Sequence, residues 1–399
     1  MKKGISVFLV VIVVIGIMSI GVASLAVVAM IPKGINADVG INTDVSQNTE
    51  ASEPSQEEAF SRVTFAAVGD NLIHDTVYEQ AAARSSSGYD FSDAYDRIAE
   101  KIAAPDVAIL NQETIISTEH NVSSYPTFNS PVEVGEEMLE IGFDVFNIAT
   151  NHSLDKGEKG LISAINYWKG KNAITCGAYL NGEDMSNIPM NEVNGVKIAY
   201  LGFTDSTNGL SLPDDSEVIL VRAKDESLIQ QRIVAAKKKA DVVIVSAHWG
   251  NEYTHEPTDY QRELAAKIAS WGADVIIGTH PHVIQPVEYI TNPDGRQTLV
   301  AYSLGNFISA QNRGPRMLGG MLNFEVVKNN ATGEIALENV KFSGVVTHYG
   351  YGCTNIRVYP LEAYTEELAS KHGVQSKTSD FSLQYLYDIL NDVIDKQFL

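Results

Sequence analysis

Seven short runs rich in β-branched residues punctuate the chain at Val63–Gly69, Asp106–Asn111, Asp144–Ala149, Val196–Phe203, Asp241–Ala247, Asp274–Gly278 and Thr298–Ser303. Between them lie stretches of helical period at Phe91–Ala103, Val134–Ile141, Gly157–Lys169, Glu226–Ala240 and Thr258–Trp271. Strands that alternate with helices need crossover connections, and crossovers cover both faces of a parallel or mixed sheet. The pattern predicts an α/β fold. After Asn306 the text changes to strands alone, at Met321–Val327 and Glu334–Phe342, and then to a helical stretch near Ser382–Lys396. No internal repeat interrupts this order.

The first residues are of a different kind. Ile5 to Ile31 form a run of 27 residues with no charge and three serines. At about 1.5 Å rise per residue, roughly 20 residues cross a bilayer core, so the run predicts a transmembrane anchor. A secretory signal core is shorter, about 7 to 15 residues, although the small residues at Gly21-Val22-Ala23 and Val27-Val28-Ala29 leave cleavage as the alternative. Lys2 and Lys3 precede the run, which by the positive-inside rule leaves the N-terminus in the cytoplasm and the remainder outside the cell. Residues 32–61 are polar and without apolar period, and read as a flexible tether.

The chain carries 29 basic and 50 acidic residues, a formal net charge of −21. Lys2 and Lys3 are the only charges before the anchor, so the part beyond it carries 27 minus 50, or −23. An acidic surface repels a phosphate backbone, which argues against nucleic acid as a partner. Cys176 and Cys353 match no metal knuckle and read as two unrelated thiols.

The reactive side chains collect where the strands end. Asp70 follows Val68-Gly69, Glu113 follows Leu110-Asn111-Gln112, and Asn151-His152 follows Ala149-Thr150. His248 follows Ser246-Ala247, and His280-Pro281-His282 follows Gly278-Thr279. In an open α/β sheet the crevice beyond the carboxyl ends of the strands is where ligands bind. Each residue has a plainer reading when taken alone: Asp70 or Asn151 as a helix cap, His248 as a satisfied core histidine. Five such coincidences at one rim are a different matter. Carboxylates, imidazoles and an amide oxygen together suit two divalent cations of the Mn, Fe or Zn type, with one histidine left over to protonate a leaving group. His120, His255, His348 and His372 fall outside the pattern and read as surface or packing residues.

The ordered set Gly69-Asp70, Asn111-Gln112-Glu113, Asn151-His152, His248-Trp249-Gly250, Gly278-Thr279-His280-Pro281-His282 and Tyr302-Ser303-Leu304-Gly305-Asn306-Phe307 resembles the CapA family of bacterial capsule (poly-γ-glutamate) synthesis proteins, within the calcineurin-like metallophosphoesterase superfamily. The resemblance runs from about Arg62 to about Gly350. It implies a four-layer α/β sandwich of mixed sheets flanked by helices, here preceded by one transmembrane helix. It also implies a division of labour: Asp70 and His282 at a first metal, Glu113 in the bridging position, Asn151, His248 and His280 at a second, and His152 as the acid. His74 and Asn306 are further candidates, Asn306 as a substrate contact. Two positions depart from the superfamily pattern. Asp70 is followed by Asn71 and Leu72, with His74 four positions on, where Asp-x-His is usual, and Glu113 stands in place of aspartate.

The expected organisation is a cytoplasmic stub at 1–4, an anchor at 5–31, a linker at 32–61, the CapA-type domain at 62–360 and a C-terminal helical extension at 361–399. The expected function is that of a membrane-anchored extracellular protein that supports synthesis, export or anchoring of an anionic polymer such as poly-γ-glutamate, within a membrane complex, through a metal-dependent hydrolase-like site. The alternatives are a metal-dependent phosphoesterase acting on an envelope substrate, and a non-catalytic scaffold that kept the fold.

Overall fold

The computed structural model describes residues 59–399. The apolar run Ile5 to Ile31 and the polar stretch up to residue 58 lie outside the described residues. No described helix is long and apolar enough to cross a membrane.

The described strands, in chain order, are β1 (Phe60–Asn71), β2 (Val107–Asn111), β3 (Val145–Asn147), β4 (Ile174–Cys176), β5 (Ala178–Tyr179), β6 (Met190–Val193), β7 (Val196–Thr204), β8 (Ile219–Leu220), β9 (Val242–His248), β10 (Val275–Thr279), β11 (Val287–Thr291), β12 (Gln297–Ala301), β13 (Asn306–Ile308), β14 (Leu318–Asn329), β15 (Ile335–Gly350) and β16 (Thr354–Pro360). They build two mixed sheets and one small pair. The first sheet has the order β16-β15-β14-β1-β2-β3-β4, with β13 also paired to β1; the second has the order β11-β12-β10-β9-β7-β6. In the first, β1 to β4 are parallel and β14 to β16 return as antiparallel hairpins. In the second, β7, β9, β10 and β12 are parallel, with antiparallel edges at β6 and β11.

Side-chain alternation along the second sheet divides it between two cores. Val196, Ile198, Tyr200, Val242, Ile244, Val275 and Ile277 join the large cluster that also contains Phe65, Val68, Ile109 and Phe146 of the first sheet. Their neighbours Ala199, Leu201, Val243, Val245 and Ile276 face the other way, into a cluster with Ile229, Ile233, Leu264 and Ile268 from the helices Glu226–Lys237 and Asp259–Trp271. The period of two thus buries both faces, which is why these strands read as continuous apolar runs. Full burial of Val275, Ile276 and Ile277 stabilises by about 1.5 to 3 kcal/mol each.

The helices are placed by local signals. Thr258 and Gln261 form a reciprocal capping box at the start of Asp259–Trp271, and Gly272 ends that helix in the left-handed region at φ 119°. The helix Gly157–Gly170 buries Leu161, Ile165 and Trp168, and Trp168 stacks on Phe146 of β3 with centroids 4.2 Å apart. The stretch Phe91–Ala103 forms two short helices, Ser92–Tyr95 and Ala99–Ala103, because Asp96-Arg97-Ile98 turns between them. The helix Asp75–Arg84 has no counterpart among the helical stretches of the sequence reading; its mean apolarity is low, with only Val77 and Ala81 buried. At the chain end, Ser382 caps Leu383–Val393, and Leu386, Leu390, Ile394 and Phe398 enter the large core.

The carboxyl ends of the two parallel sets meet at one rim. β1 ends at Asp70-Asn71, β2 at Asn111, β9 at His248 and β10 at Thr279. Close approach of the chain there depends on glycine: a Cβ on Gly69 would lie 1.8 Å from the carbonyl oxygen of Gly305, which accepts the Asp70 N–H at 2.8 Å. Gly305 itself has φ 61°, and its turn sets Asn306 in register beside Asp70.

Candidate metal centre

Asp70 is fully buried and accepts from three directions. Its carboxylate takes the Asn111 Nδ2 donor at 2.8 Å and the His280 backbone N–H at 3.3 Å, and its Oδ2 lies 3.1 Å from His282 Nδ1. Asn306 Oδ1 stands at 3.1 Å from the same ring nitrogen. The two histidines of His280-Pro281-His282 have φ of 98° and 59°. Non-glycine residues persist there only where their surroundings impose it, and such positions concentrate at functional sites.

Glu113 lies two residues beyond the end of β2 and is fully buried. Both of its carboxylate oxygens lack a hydrogen-bond partner, and so does His280 Nδ1. Glu113 Oε1 is 3.7 Å from His282 Nε2 and 3.9 Å from His152 Nε2. Ligand atoms of Glu113, His280 and His282 all fall within 4.8 Å of one another. A buried carboxylate with two unsatisfied oxygens is expensive. A divalent cation would satisfy those oxygens and the His280 nitrogen together, so the donor set fits a metal of the oxygen- and imidazole-binding kind.

The electrostatics agree with that geometry. Burial pushes the Glu113 carboxyl well above the ordinary range, against the pull of His282. Burial alone would push His282 down, yet Glu113 and Asp70 outweigh it and hold its imidazole up at about 9. Burial lowers His280 to about 4 and His248 well below its usual value, each reinforced by neighbouring histidines, which keeps these rings in the neutral form that ligates metals.

Asn151 and His248 meet on the far side of the cluster, with Asn151 Oδ1 3.0 Å from His248 Nε2. His248 Nδ1 is 3.0 Å from Thr279 Oγ1, and its ring is 4.8 Å from that of His280. His152 Nδ1 is 2.7 Å from Asp155 Oδ2, and Phe128 packs edge-on against its ring at 4.7 Å. Asp70, Glu113, Asn151, His152, His248, His280, His282 and Asn306 are thus linked, neighbour to neighbour, into one cluster. His74 is placed differently. Its Nδ1 is held between the Leu72 carbonyl and the Ala310 N–H, both at 3.3 Å, its ring meets Phe128, and burial lowers it to about 4. The other four histidines bond elsewhere, His120 to Ser117, His255 to the Ile284 carbonyl, His348 to Tyr364 and His372 to the Thr347 carbonyl. Both cysteines are free.

Four contributors were not singled out from sequence. Asn111 bridges Asp70 and Asn147, Thr279 and Asp155 hold the rings of His248 and His152, and Asn208 reaches both Asn151 and His152 at 3.4 Å. Asp155 had a usable signal, three positions after His152. Asn208 comes from a loop between strands and had none.

A family model described as bacterial capsule synthesis protein PGA_cap matches residues 64–311, which includes every residue of the cluster. The chain belongs to the PGA_cap family. Among curated relatives, the PGA biosynthesis protein CapA of Bacillus subtilis (strain 168) is 38% identical over 176 residues, covering 44% of each chain. The capsule biosynthesis protein CapA of Bacillus anthracis is 36% identical over 182 residues, covering 45% of this chain and 43% of that one. The matched segment therefore spans less than half the length of either relative. Among solved structures, a phosphatase of Mycoplasma pneumoniae resembles the chain with a TM-score of 0.44 and 13% identity, covering 72% of this chain and 94% of that one.

Proposed function

We propose that this chain acts in capsule biosynthesis as a membrane-anchored, extracellular protein with a metal-dependent hydrolase-like site directed at an anionic polymer of the poly-γ-glutamate type. The observation that carries the reading is the Glu113, His280 and His282 cluster, buried and short of hydrogen bonds, inside the segment that matches the PGA_cap family. In this reading the two sheets and their helices are the layers of a metallophosphoesterase-like sandwich, and the apolar run Ile5 to Ile31 is the anchor.

In this reading Asp70, Glu113, Asn151, His248, His280 and His282 would hold the divalent ions. When bound, such ions supply Lewis acidity and a water activated at neutral pH. The chain's own part is positioning and proton management. Asp155 accepts the Nδ1 proton of His152 and fixes the ring, leaving Nε2 directed at Glu113 and the cluster. With both ring nitrogens protonated, His152 would give its Nε2 proton to the leaving atom of the substrate and return to the neutral ring, keeping the Nδ1–H that Asp155 holds. Phe128, packed on the His152 ring, keeps bulk water from the opposite side. The same groups serve hydrolysis of a phosphoester, and the fixed donor geometry of His152 favours that as the second reading.

The test is direct. The full-length chain, loaded with Mn, Fe or Zn, is offered a γ-glutamyl oligomer and p-nitrophenyl phosphate. Cleavage of the oligomer that is lost in His152→Ala supports the capsule reading; turnover of the phosphoester alone supports the phosphoesterase; and inertness toward both with metal in place leaves a scaffold and sinks the hydrolytic proposal.

A further inference from the structure

Arg316 lies in the short 3-10 turn Gly314–Met317, which leads from β13 into β14. Its guanidinium carbon is 3.4 Å from the centroid of the Tyr253 ring, a stacked contact in which the cation sits on the aromatic face. Among the described residues no carboxylate comes within 4.0 Å of that guanidinium, and none of its nitrogens makes a hydrogen bond. Arg313, exposed three residues earlier, opposes it electrostatically, and Glu252 favours it from beyond 4.0 Å. A half-buried guanidinium with five unused donors beside another cation is unusual in a chain whose net charge is −21.

The position of this cation is fixed from two sides, and both lead to the metal cluster. The Tyr253 ring, held at φ 67° with its N–H on the Pro281 carbonyl at 2.7 Å, lies 5.9 Å from the His282 ring and 30° from parallel with it. On the other side Asn306 donates from Nδ2 to the Arg316 carbonyl at 3.0 Å while its Oδ1 meets His282 Nδ1. Tyr253 thus lies between the half-exposed Arg316 guanidinium on its face and the tilted ring of the buried cluster residue His282.

We propose that Arg316 recognises an anionic group of the substrate, taking two oxygens of one planar or tetrahedral oxyanion in its fork and so seating the adjoining bond over the Glu113, His280 and His282 cluster. The chemistry is that of a bidentate guanidinium–oxyanion pair, and the oxyanion is either a side-chain carboxylate of a γ-glutamyl polymer or the non-bridging oxygens of a phosphoester. The inference rests on the site proposed above and adds its recognition element. It also offers a way for an acidic body to engage an acidic chain, with the repulsion relieved locally at Arg316.

The experiment measures binding rather than turnover. The full-length chain, with and without Mn, is titrated with a fluorescently labelled γ-glutamyl oligomer and, separately, with inorganic phosphate, using wild type, Arg316→Gln and Arg316→Lys. Metal content and thermal midpoint are recorded for each. Arg316→Gln is expected to weaken at least one probe by about tenfold or more with metal content unchanged, and Arg316→Lys to lie between, because an ammonium cannot take both oxygens. A loss confined to the oligomer assigns the carboxylate, and a loss confined to phosphate assigns the phosphoryl group. Should Arg316→Gln not fold, Arg316→Lys carries the comparison, and wild-type affinity in it overturns the proposal. Affinities of Arg316→Gln within about twofold of wild type for both probes, or no binding of either probe by wild type, overturn it as well. Binding through Arg316 by a chain that takes up no metal would leave this inference standing and remove the hydrolase reading beneath it.

Discussion

Glu113 Oε1 stands 3.7 Å from His282 Nε2, yet neither oxygen of that carboxylate accepts a hydrogen bond from any described residue. The pair is fully buried, and burial raises the carboxyl while the carboxylates Glu113 and Asp70 raise the imidazole. Such a pair is poorly served by the protein alone and well served by a cation, and stability and metal affinity are set against each other at this residue.

Glu113→Gln separates those two quantities. The substitution removes a buried carboxyl that accepts no hydrogen bond but also its attraction to His282, so the metal-free chain is expected to gain at most about 1 to 3 kcal/mol, read as a higher urea midpoint in chelator, while metal content falls. A variant less stable than wild type in chelator would mean that Glu113 has a structural partner.

His152 and Asp155 are expected to part company in kinetics. His152→Ala should lower turnover by roughly 100- to 10,000-fold with metal content unchanged. Asp155→Asn should cost less in turnover but also loosen the Phe128 backbone, whose N–H it accepts at 2.7 Å. Equal metal loss in both variants would place His152 among the ligands instead.

Away from the cluster, the buried histidines His348 and His372 make folding sensitive to acid. Burial lowers them to about 4 and about 3, with the Thr347 carbonyl opposing the shift at His372 and His348 adding to it. The groups packed around them are Tyr359, Tyr364, Tyr349 and Phe381 and carry no carboxylate. An unfolded chain protonates these rings at about pH 6.5. Between there and the folded values the unfolded state binds more protons, so stability is lost as pH falls, by up to about 1.4 kcal/mol per pH unit for each ring. The urea midpoint is expected to drop from pH 7 to pH 5, and His372→Gln to flatten that slope; an unchanged slope in the variant would contradict the assignment.

Gly69→Ala tests the backbone that carries Asp70. The new Cβ would meet the Gly305 carbonyl oxygen at 1.8 Å, so a loss of upwards of about 3 kcal/mol is expected by thermal unfolding, with lower metal content as Asp70 shifts. A variant of wild-type stability would show that β1 and the Gly305 turn can separate freely.

Strand positions and reactive strand ends were legible because both follow from local chemistry. β-Branched runs mark buried parallel strands, and each of the five runs that ended in a reactive residue placed it at the rim. The pairing of Asp70 with Asn306 is not local; it joins residues 236 positions apart through a glycine contact, and only the six-motif resemblance brought Asn306 into view. Asn208 and Arg316 sit in loops with no periodic signal, and their partners are chosen by the tertiary fold. The helix Asp75–Arg84 went unseen because alanines give it little amphipathic contrast.

Metal stoichiometry after loading with Mn, Fe or Zn, compared between wild type and the Glu113→Gln/His280→Ala double variant, bears most directly on the central claim. The arrangement of Glu113, His280 and His282 leads us to expect up to two ions per chain in wild type, lowered in the double variant with the fold intact. A wild-type chain that stays near zero for all three metals, or a double variant that binds as much as wild type, would contradict it.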